Sequence, residues 1–155
     1  MVYKAAGCLL YSASTKRFCF QLRNNNKSKV KTWGTWGGQL NPNEKPFDGL
    51  MRELSEEMSR EVQISKIIHL NTYRNNEFTY TNYLMLVRNE FIPQLNKESN
   101  GYCWVDASSL PVGLHQGAKR LFENDKIRKK KDKTIDNYSV SKALYDYVKR
   151  EQSAS

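Results

Sequence analysis

The sequence predicts a single mixed α/β domain, and three observations support this. Short segments alternate apolar and polar residues, as strands with one buried face do. Residues 46–58 repeat apolar side chains at helical spacing, and so do residues 138–150 near the C-terminus. A chain of 155 residues is long enough for one sizeable core. Strands interleaved with helices in this order are typical of the α/β class.

The sequence predicts the following strands, helices and loops. Strands are predicted at residues 4–11, 18–23, 62–70, 72–74, 77–88 and 102–105. Helices are predicted at residues 46–58, 114–122 and 138–150. Loops are predicted at 24–31, at the tryptophan- and glycine-rich residues 33–38, at 96–101, and at the basic residues 124–133. All of these belong to one domain covering residues 1–155.

Composition narrows the class of protein. Hydrophobic residues make up 39% of the chain, no apolar run approaches the roughly 20 residues of a membrane span, and the N-terminus lacks a secretory pattern. We therefore expect a cytoplasmic protein without a membrane partner. Cys8, Cys19 and Cys103 lack metal-type spacing and are expected to be buried free thiols, with a disulfide between two of them as the alternative. A net charge of +9 favours anionic partners, although it can also serve solubility alone.

The helix predicted from Pro46 to Met58 carries the chemistry. One face is apolar and is expected to pack on the sheet; it comprises Phe47, Leu50, Met51, Leu54 and Met58. Glu53, Glu56 and Glu57 are spaced at i, i+3 and i+4, so their carboxylates are expected to converge on another face. Like charges at this spacing repel each other unless a cation offsets them, and oxygen-only ligands suit Mg²⁺ or Mn²⁺.

The spacing around this helix forms a specific signature. Five residues separate Gly38 from Glu44, seven separate Glu44 from Arg52-Glu53-Leu54, and one separates Leu54 from Glu56-Glu57. This pattern resembles the Nudix box, G-x5-E-x7-R-E-U-x-E-E-x-G-U with U an aliphatic residue, and seven of its nine fixed positions match. Ser59 and Arg60 depart from it, which affects helix termination more than the carboxylates. The N-terminal hairpin and the Tyr102–Asp106 segment also resemble the family's layout.

The resemblance implies an α/β/α sandwich around a mixed β-sheet, and hydrolysis of a nucleoside diphosphate derivative with Mg²⁺ or Mn²⁺. It assigns Glu53, Glu56, Glu57 and the Gly38 carbonyl as metal ligands, and Glu53, Glu57, Arg52 and Glu98 as catalytic residues. The general base is left open, with Glu98 preferred over Glu77. Arg52 is expected to pair with Glu44 or orient Glu53, and to lower the pKa of the neighbouring carboxylates.

The substrate is less sharply indicated. Trp36, Arg23 and Tyr80 are expected to contact it, with either Trp33 or Trp36 stacking on a base and the other closing the core. ADP-ribose, dinucleoside polyphosphates, FAD and NADH are the first choice. The alternatives are an RNA 5′ end, removed by a pyrophosphohydrolase or decapping activity, and a catalytically silent nucleotide- or RNA-binding module. Neither His69 nor His115 has a partner at catalytic spacing, and His69 is interpreted as structural. A homodimer is compatible with the resemblance.

Overall fold

The fold is described from a computed structural model of the chain, covering residues 3–24, 32–58, 62–122, 133–135 and 138–154. Its strands are β1 (Tyr3–Ser12), β2 (Phe18–Arg23), β3 (Thr32–Gly34), β4 (Trp36–Gln39), β5 (Lys66–Arg74), β6 (Phe78–Val87), β7 (Ser99–Val105) and β8 (Lys133–Ile135). Its helices are α1 (Pro46–Met58), α2 (Gln116–Arg120) and α3 (Val140–Ala154), with a 3₁₀ turn at Ala107–Ser109. The predicted α/β class is confirmed.

The sheet is mixed and forked. β1 lies parallel to β6 along its whole length, from Tyr3 opposite Phe78 to Ser12 opposite Val87. On its other edge, β1 pairs first with β4 and only near its end with β2. β2 then leaves β1 and pairs with β3 and β7. The gap between β1 and β2 is thus filled by the β3–β4 segment, and Thr35 lies at the bend between those two strands.

Helices cover both faces of the sheet. On one face α1 buries Leu50, Leu54 and Met58 in a cluster with side chains of β1, β2, β4 and β6. On the other face α2 and α3 bury Ala118, Val140 and Ala143 against a second cluster with side chains of β1, β2, β5 and β6. The arrangement is the α/β/α sandwich that the sequence implied. Within the described residues, no helix is both long enough and apolar enough to cross a membrane.

Helix α1 begins and ends where the sequence predicts, because Pro46 suits the first turn and the apolar period stops at Met58. Its apolar face is narrower than expected. Leu50, Leu54 and Met58 are fully buried, whereas Phe47 is 42% exposed and does not pack on the sheet. Phe47 lies in the first turn of the helix.

Several other boundaries differ from the predictions. Residues 33–38 are strands β3 and β4 rather than a loop, because their backbone pairs with β1 and β2 despite three glycines. The strands predicted at 62–70 and 72–74 form one strand, β5, which starts at Lys66. Ser99–Gly101 belong to β7 rather than to a loop, and α2 is shorter than predicted. Residues 25–31 of the loop predicted at 24–31, and most of the basic segment at 124–133, lie outside the described residues.

The three cysteines are free thiols, as expected. Cys8 and Cys19 are buried in the first cluster, while Cys103 is half-buried beside the second. Burial raises the pKa of all three thiols, so they stay protonated. They serve as small apolar side chains in this fold.

Candidate active site

Arg52 organises the exposed side of α1. Its guanidinium grips Glu44 with two hydrogen bonds, Nε to Oε2 at 3.0 Å and Nη2 to Oε1 at 2.9 Å. The Nη1 atom also donates to Glu53 at 3.0 Å and to Glu56 at 3.2 Å, and Nη2 donates to the Gln39 carbonyl. Pairing of Arg52 with Glu44 and orientation of Glu53 were both predicted, and both are observed. One cation therefore faces three carboxylates.

Glu53 is held between Arg52 and the glycine strand β4. A Cβ atom at position 38 would lie 2.6 Å from the Glu53 carboxyl carbon, so a side chain there would displace the carboxylate from this position. Burial raises the pKa of Glu53, and the charges of Glu56 and Glu98 act in the same direction. Arg52 opposes this shift without overcoming it. Arg52 lowers the pKa of both neighbours, as predicted; the net shift is downward for Glu44 but upward for Glu53, because burial outweighs Arg52 there.

Glu57 lies in a different environment from the other acids of α1. Its side chain is inside the protein, with 2% of the residue surface exposed. One carboxylate oxygen accepts from the Gly37 backbone N–H at 2.7 Å and the other from the Gln21 amide at 2.6 Å. Burial raises the pKa of Glu57 to about 7, although these hydrogen bonds and the charge of Arg23 favour the ionised form.

The residues that hold the Glu57 carboxylate lie where β2 separates from β1. Gln21 stands where β2 leaves β1, and its amide nitrogen donates both to Glu57 and to the Thr35 carbonyl at 2.9 Å. The Gln21 amide oxygen accepts from the Ser99 hydroxyl. Gly37, at φ 136°, takes a backbone conformation that a side chain would strain, and a Cβ atom there would strike the Ala6 carbonyl at 2.1 Å. Sequence reasoning missed Gln21 and Ser99; the one signal was a polar residue within the apolar strand β2.

Glu98 is brought to the acidic helix by Asn96. The Asn96 side chain donates to the Glu56 carbonyl at 2.7 Å, and its backbone N–H donates to the Glu57 carbonyl at 3.1 Å. The Asn96 side-chain oxygen in turn accepts from the Glu98 backbone N–H at 2.8 Å. This docks the loop on the end of α1 and places the Glu98 charge close enough to raise the pKa of Glu53. Sequence reasoning missed Asn96.

The rival base, Glu77, lies elsewhere. It sits in the turn between β5 and β6, where its backbone N–H donates to the Asn75 side chain at 2.7 Å. The charges that shift the pKa of Glu53 and Glu57 do not include Glu77. His69 is held by Thr72 at 2.9 Å and packs edge-on against Tyr83, which agrees with a structural role. The structure thus brings Glu98, and not Glu77, to the acidic helix.

The acids do not form a closed ligand set in this conformation. Among the described residues, no group of three or more His, Cys, Asp or Glu side chains stands ready to hold a metal ion. Glu53 and Glu56 point to Arg52, while Glu57 points to Gln21 and Gly37. The predicted convergence of three carboxylates is therefore not seen in these rotamers. Their donor chemistry nevertheless fits a hard divalent cation, since every candidate atom is an oxygen.

A second group of polar side chains adjoins Glu57. The positive charge of Arg23, at the end of β2, acts on Glu57, Tyr80 and His115 alike, so the guanidinium lies near all three. The Tyr80 hydroxyl is hydrogen-bonded to the Thr35 side chain. Burial raises the pKa of Tyr80, and burial together with Arg23 and Arg120 lowers the pKa of His115. Arg23 and Tyr80, both predicted to contact substrate, are thus neighbours of the acidic site.

Trp36 does not fit the role expected of it. Its indole is fully buried in the first cluster, and its N–H donates to the Cys19 carbonyl at 3.0 Å. An indole in that position cannot stack on a ligand, so Trp36 belongs to the core. Trp33, the other tryptophan of this segment, is half-buried beside the second cluster.

Comparisons with known proteins bear on the family and the fold of the chain. The NUDIX domain family model matches residues 1–125. A MutT NUDIX hydrolase from Burkholderia pseudomallei aligns at TM-score 0.61 and 16% identity, over 77% of this chain and 95% of that one. An Ap4A hydrolase from C. elegans aligns at 0.56 and 21%, over 68% and 80%. A MutT/nudix family protein from Enterococcus faecalis aligns at 0.55 and 18% over 67% of this chain, which spans 43% of that protein.

These structural likenesses establish the fold alone, since all three identities are below 25%. No curated protein sequence matches the chain. The family model covers well over half of the chain and includes all the acidic residues described above.

Proposed function

The chain belongs to the Nudix family of hydrolases, which act on phosphoric anhydride bonds, and we propose that it cleaves the diphosphate of a nucleoside diphosphate derivative with the help of a divalent cation. The observation that carries this proposal is the shortage of positive charge on α1. Glu53 interacts through space with Glu56, Glu57 and Glu98, and Arg52 is bonded to Glu53 and Glu56. Such a cluster is costly unless a cation completes it.

Mg²⁺ or Mn²⁺ would be held by Glu53, Glu56 and Glu57, with the Gly38 carbonyl as a further oxygen donor. The cation would supply Lewis acidity and neutralise the phosphate charge. The protein's part is to hold the ligands in place. Arg52 holds Glu53 and Glu56, and hydrogen bonds from Gln21 and Gly37 hold Glu57.

Glu98 is the proposed proton acceptor for the attacking water, with Glu53 as the alternative. Glu98 is exposed, lies on a loop docked to α1 by Asn96, and sits close enough to interact with Glu53. An exposed carboxylate beside the site can take a proton and release it to solvent. Arg23 is proposed to bind a phosphate oxygen, because its guanidinium is exposed and adjoins Glu57.

The proposed substrates are of the ADP-ribose and dinucleoside polyphosphate type, including FAD and NADH. Similarity to the C. elegans Ap4A hydrolase supports the dinucleotide part of this choice. An RNA 5′ end is the second candidate, and the net charge of +9 favours it. Hydrolysis of capped or 5′-triphosphate RNA with an affinity that falls steeply with salt would select this alternative.

The test is a hydrolysis panel with Mg²⁺ over ADP-ribose, diadenosine polyphosphates, FAD, NADH, dNTPs and RNA 5′ ends. At least one member should be turned over. Glu57→Gln should reduce turnover about a thousandfold, because a buried ligand loses its charge. Ser55→Ala, at an exposed position of the same helix, is the matched control and should leave the rate unchanged.

Two outcomes would contradict the proposal. If no panel member were hydrolysed, the enzymatic function would fail and a silent nucleotide-binding module would replace it. If Glu57→Gln hydrolysed a substrate as fast as Ser55→Ala, the metal site assigned to α1 would be wrong.

A further inference from the structure

A pair of asparagines interrupts the apolar face of the sheet that α2 and α3 cover. Asn82 on β6 lies directly opposite Asn71 on β5 and donates its amide N–H to the Asn71 side-chain oxygen at 2.9 Å. On β6 the same face continues with Leu84 and Leu86, both fully buried. Burying an amide among apolar side chains costs free energy unless its polar atoms form hydrogen bonds.

The pair is only half satisfied. Asn71 is 3% exposed, whereas Asn82 is half-buried. Among the described residues, their mutual bond is the one side-chain hydrogen bond that either amide makes. Because the Asn82 nitrogen is turned to Asn71, its oxygen is left over as an acceptor on the more open side of the pair.

This acceptor lies next to the site already described. Asn82 is opposite Gly7 on β1, and the Tyr80 hydroxyl occupies the space above Gly7, 2.2 Å from where a Cβ atom would be. Tyr80 precedes Asn82 by two residues on the same face, about 7 Å along the strand. The charges of Arg23 and Glu57 both act on the Tyr80 hydroxyl, so Tyr80 connects the asparagine pair with the polar residues near the acidic site.

Aromatic side chains flank the pair on the side away from the leucines. Tyr73 on β5 lies opposite Tyr80, and Tyr73 also packs on Phe78 with ring centroids 5.4 Å apart. All three rings are half-buried. Aromatic faces beside a hydrogen-bonding amide are the combination that binds nucleobases, which stack on rings and are distinguished through their polar edges.

We propose that Asn82, oriented by Asn71, is a specificity-determining residue that accepts a hydrogen bond from the exocyclic amino group of the substrate's nucleobase. The inference rests on the proposed function, because it concerns the nucleoside half of the same substrate. It selects a base with an amino group, such as adenine, over one with a carbonyl at the same position, such as hypoxanthine. A carbonyl there faces the Asn82 oxygen without a proton between them.

The experiment compares equilibrium binding of adenosine and inosine 5′-monophosphates, with ribose 5-phosphate as the base-free reference. Wild type should bind the adenine nucleotide at least about tenfold more tightly than the hypoxanthine nucleotide. Asn82→Leu should bring the two affinities within about twofold while leaving ribose 5-phosphate binding unchanged. Asn76→Leu makes the same substitution at an exposed turn position and should keep the wild-type preference.

Two further variants separate reading of the base from a merely structural pair. Asn71→Leu keeps the Asn82 side chain but frees it to rotate, so the preference should shrink without the loss of nucleotide binding. Asn82→Asp retains an acceptor of the same size, and should keep the preference for adenine even if Asn82→Leu does not fold. A structural pair alone would lower stability in these variants and leave the ratio of the two affinities unchanged.

The proposal is overturned if wild type binds both nucleotides equally, prefers the hypoxanthine nucleotide, or keeps its adenine preference in Asn82→Leu. These measurements need neither metal nor turnover. Failure here would therefore leave the hydrolase proposal standing, and an inactive enzyme in the hydrolysis panel would not decide the role of Asn82.

Discussion

The acids of α1 occupy two contrasting environments. Glu53 and Glu56 lie on the outer side of the helix and share the Arg52 guanidinium with Glu44, which precedes the helix; Arg52 offsets the charge of all three. Glu57, one residue beyond Glu56, is buried and is held by the Gln21 amide and a backbone N–H. The Arg52 side chain offsets the charge of the outer carboxylates. Among the described residues, Glu57 has hydrogen bonds but no ion pair with a cation. Carboxylates at regular helical spacing therefore do not share one environment, because the residues packed against each face of the helix determine the burial and hydrogen bonding of each carboxylate.

We expect the largest effect of this difference in how the free energy of unfolding of the metal-free protein changes with pH. The pKa of Glu57 is about 7 in the folded protein against an ordinary value of 4.5, so the folded state binds the proton more tightly. Stability from this group is fully present below pH 4.5 and is lost as pH rises through 7, by about 3 kcal/mol in total. Urea unfolding from pH 4.5 to 8 should show this loss in wild type, and Glu57→Gln should lack it. Parallel curves for the two proteins would contradict the buried, cation-poor environment of Glu57.

The outer group can be disturbed through its shared cation. Arg52→Lys keeps the charge but cannot grip Glu44 with two parallel bonds while also reaching Glu53 and Glu56. We expect turnover to fall about thirtyfold, with a smaller loss of stability because Arg52 is partly exposed. The pH-dependent loss of stability assigned to Glu57 should persist in this variant, because Arg52 does not bond to Glu57. Turnover equal to wild type would show that the grip on Glu44 has no part in catalysis.

The smallest effect is expected from the docked loop. Glu98→Gln should lower turnover about tenfold and flatten the acid limb of the pH–rate profile, since the proposed proton acceptor is removed. Glu77→Gln is the matched control, being the same substitution in the turn between β5 and β6. A larger loss for Glu77→Gln than for Glu98→Gln would reverse the assignment of the base.

The sequence predicted α1 to the residue, since an apolar period and Pro46 are local signals. Box spacing alone identified Arg52 and its partner Glu44. The burial of Glu57 could not be predicted, because its partner Gln21 lies 36 residues away and reaches it only through the fork of the sheet. The same holds for Ser99, which is 78 residues from Gln21. Strands β3 and β4 were missed because glycines weaken the strand signal where pairing with β1 and β2 provides the structure.

For Trp36 the sequence led to a wrong prediction of ligand contact. An aromatic residue among glycines resembled a ligand-facing side chain, yet its indole fills the core beneath β4 and donates to a strand carbonyl. Composition cannot tell which face of a short strand points inward, because that depends on which neighbours it pairs with.

The central claim is that Glu57 holds the cation that the acidic helix lacks. Thermal unfolding with and without Mg²⁺ tests it most directly, in wild type, Glu57→Gln and the control Ser55→Ala. Binding to the folded state alone raises stability, so the melting temperature of wild type and of Ser55→Ala should rise with Mg²⁺ concentration, while that of Glu57→Gln should not. An equal rise in Glu57→Gln would contradict the claim.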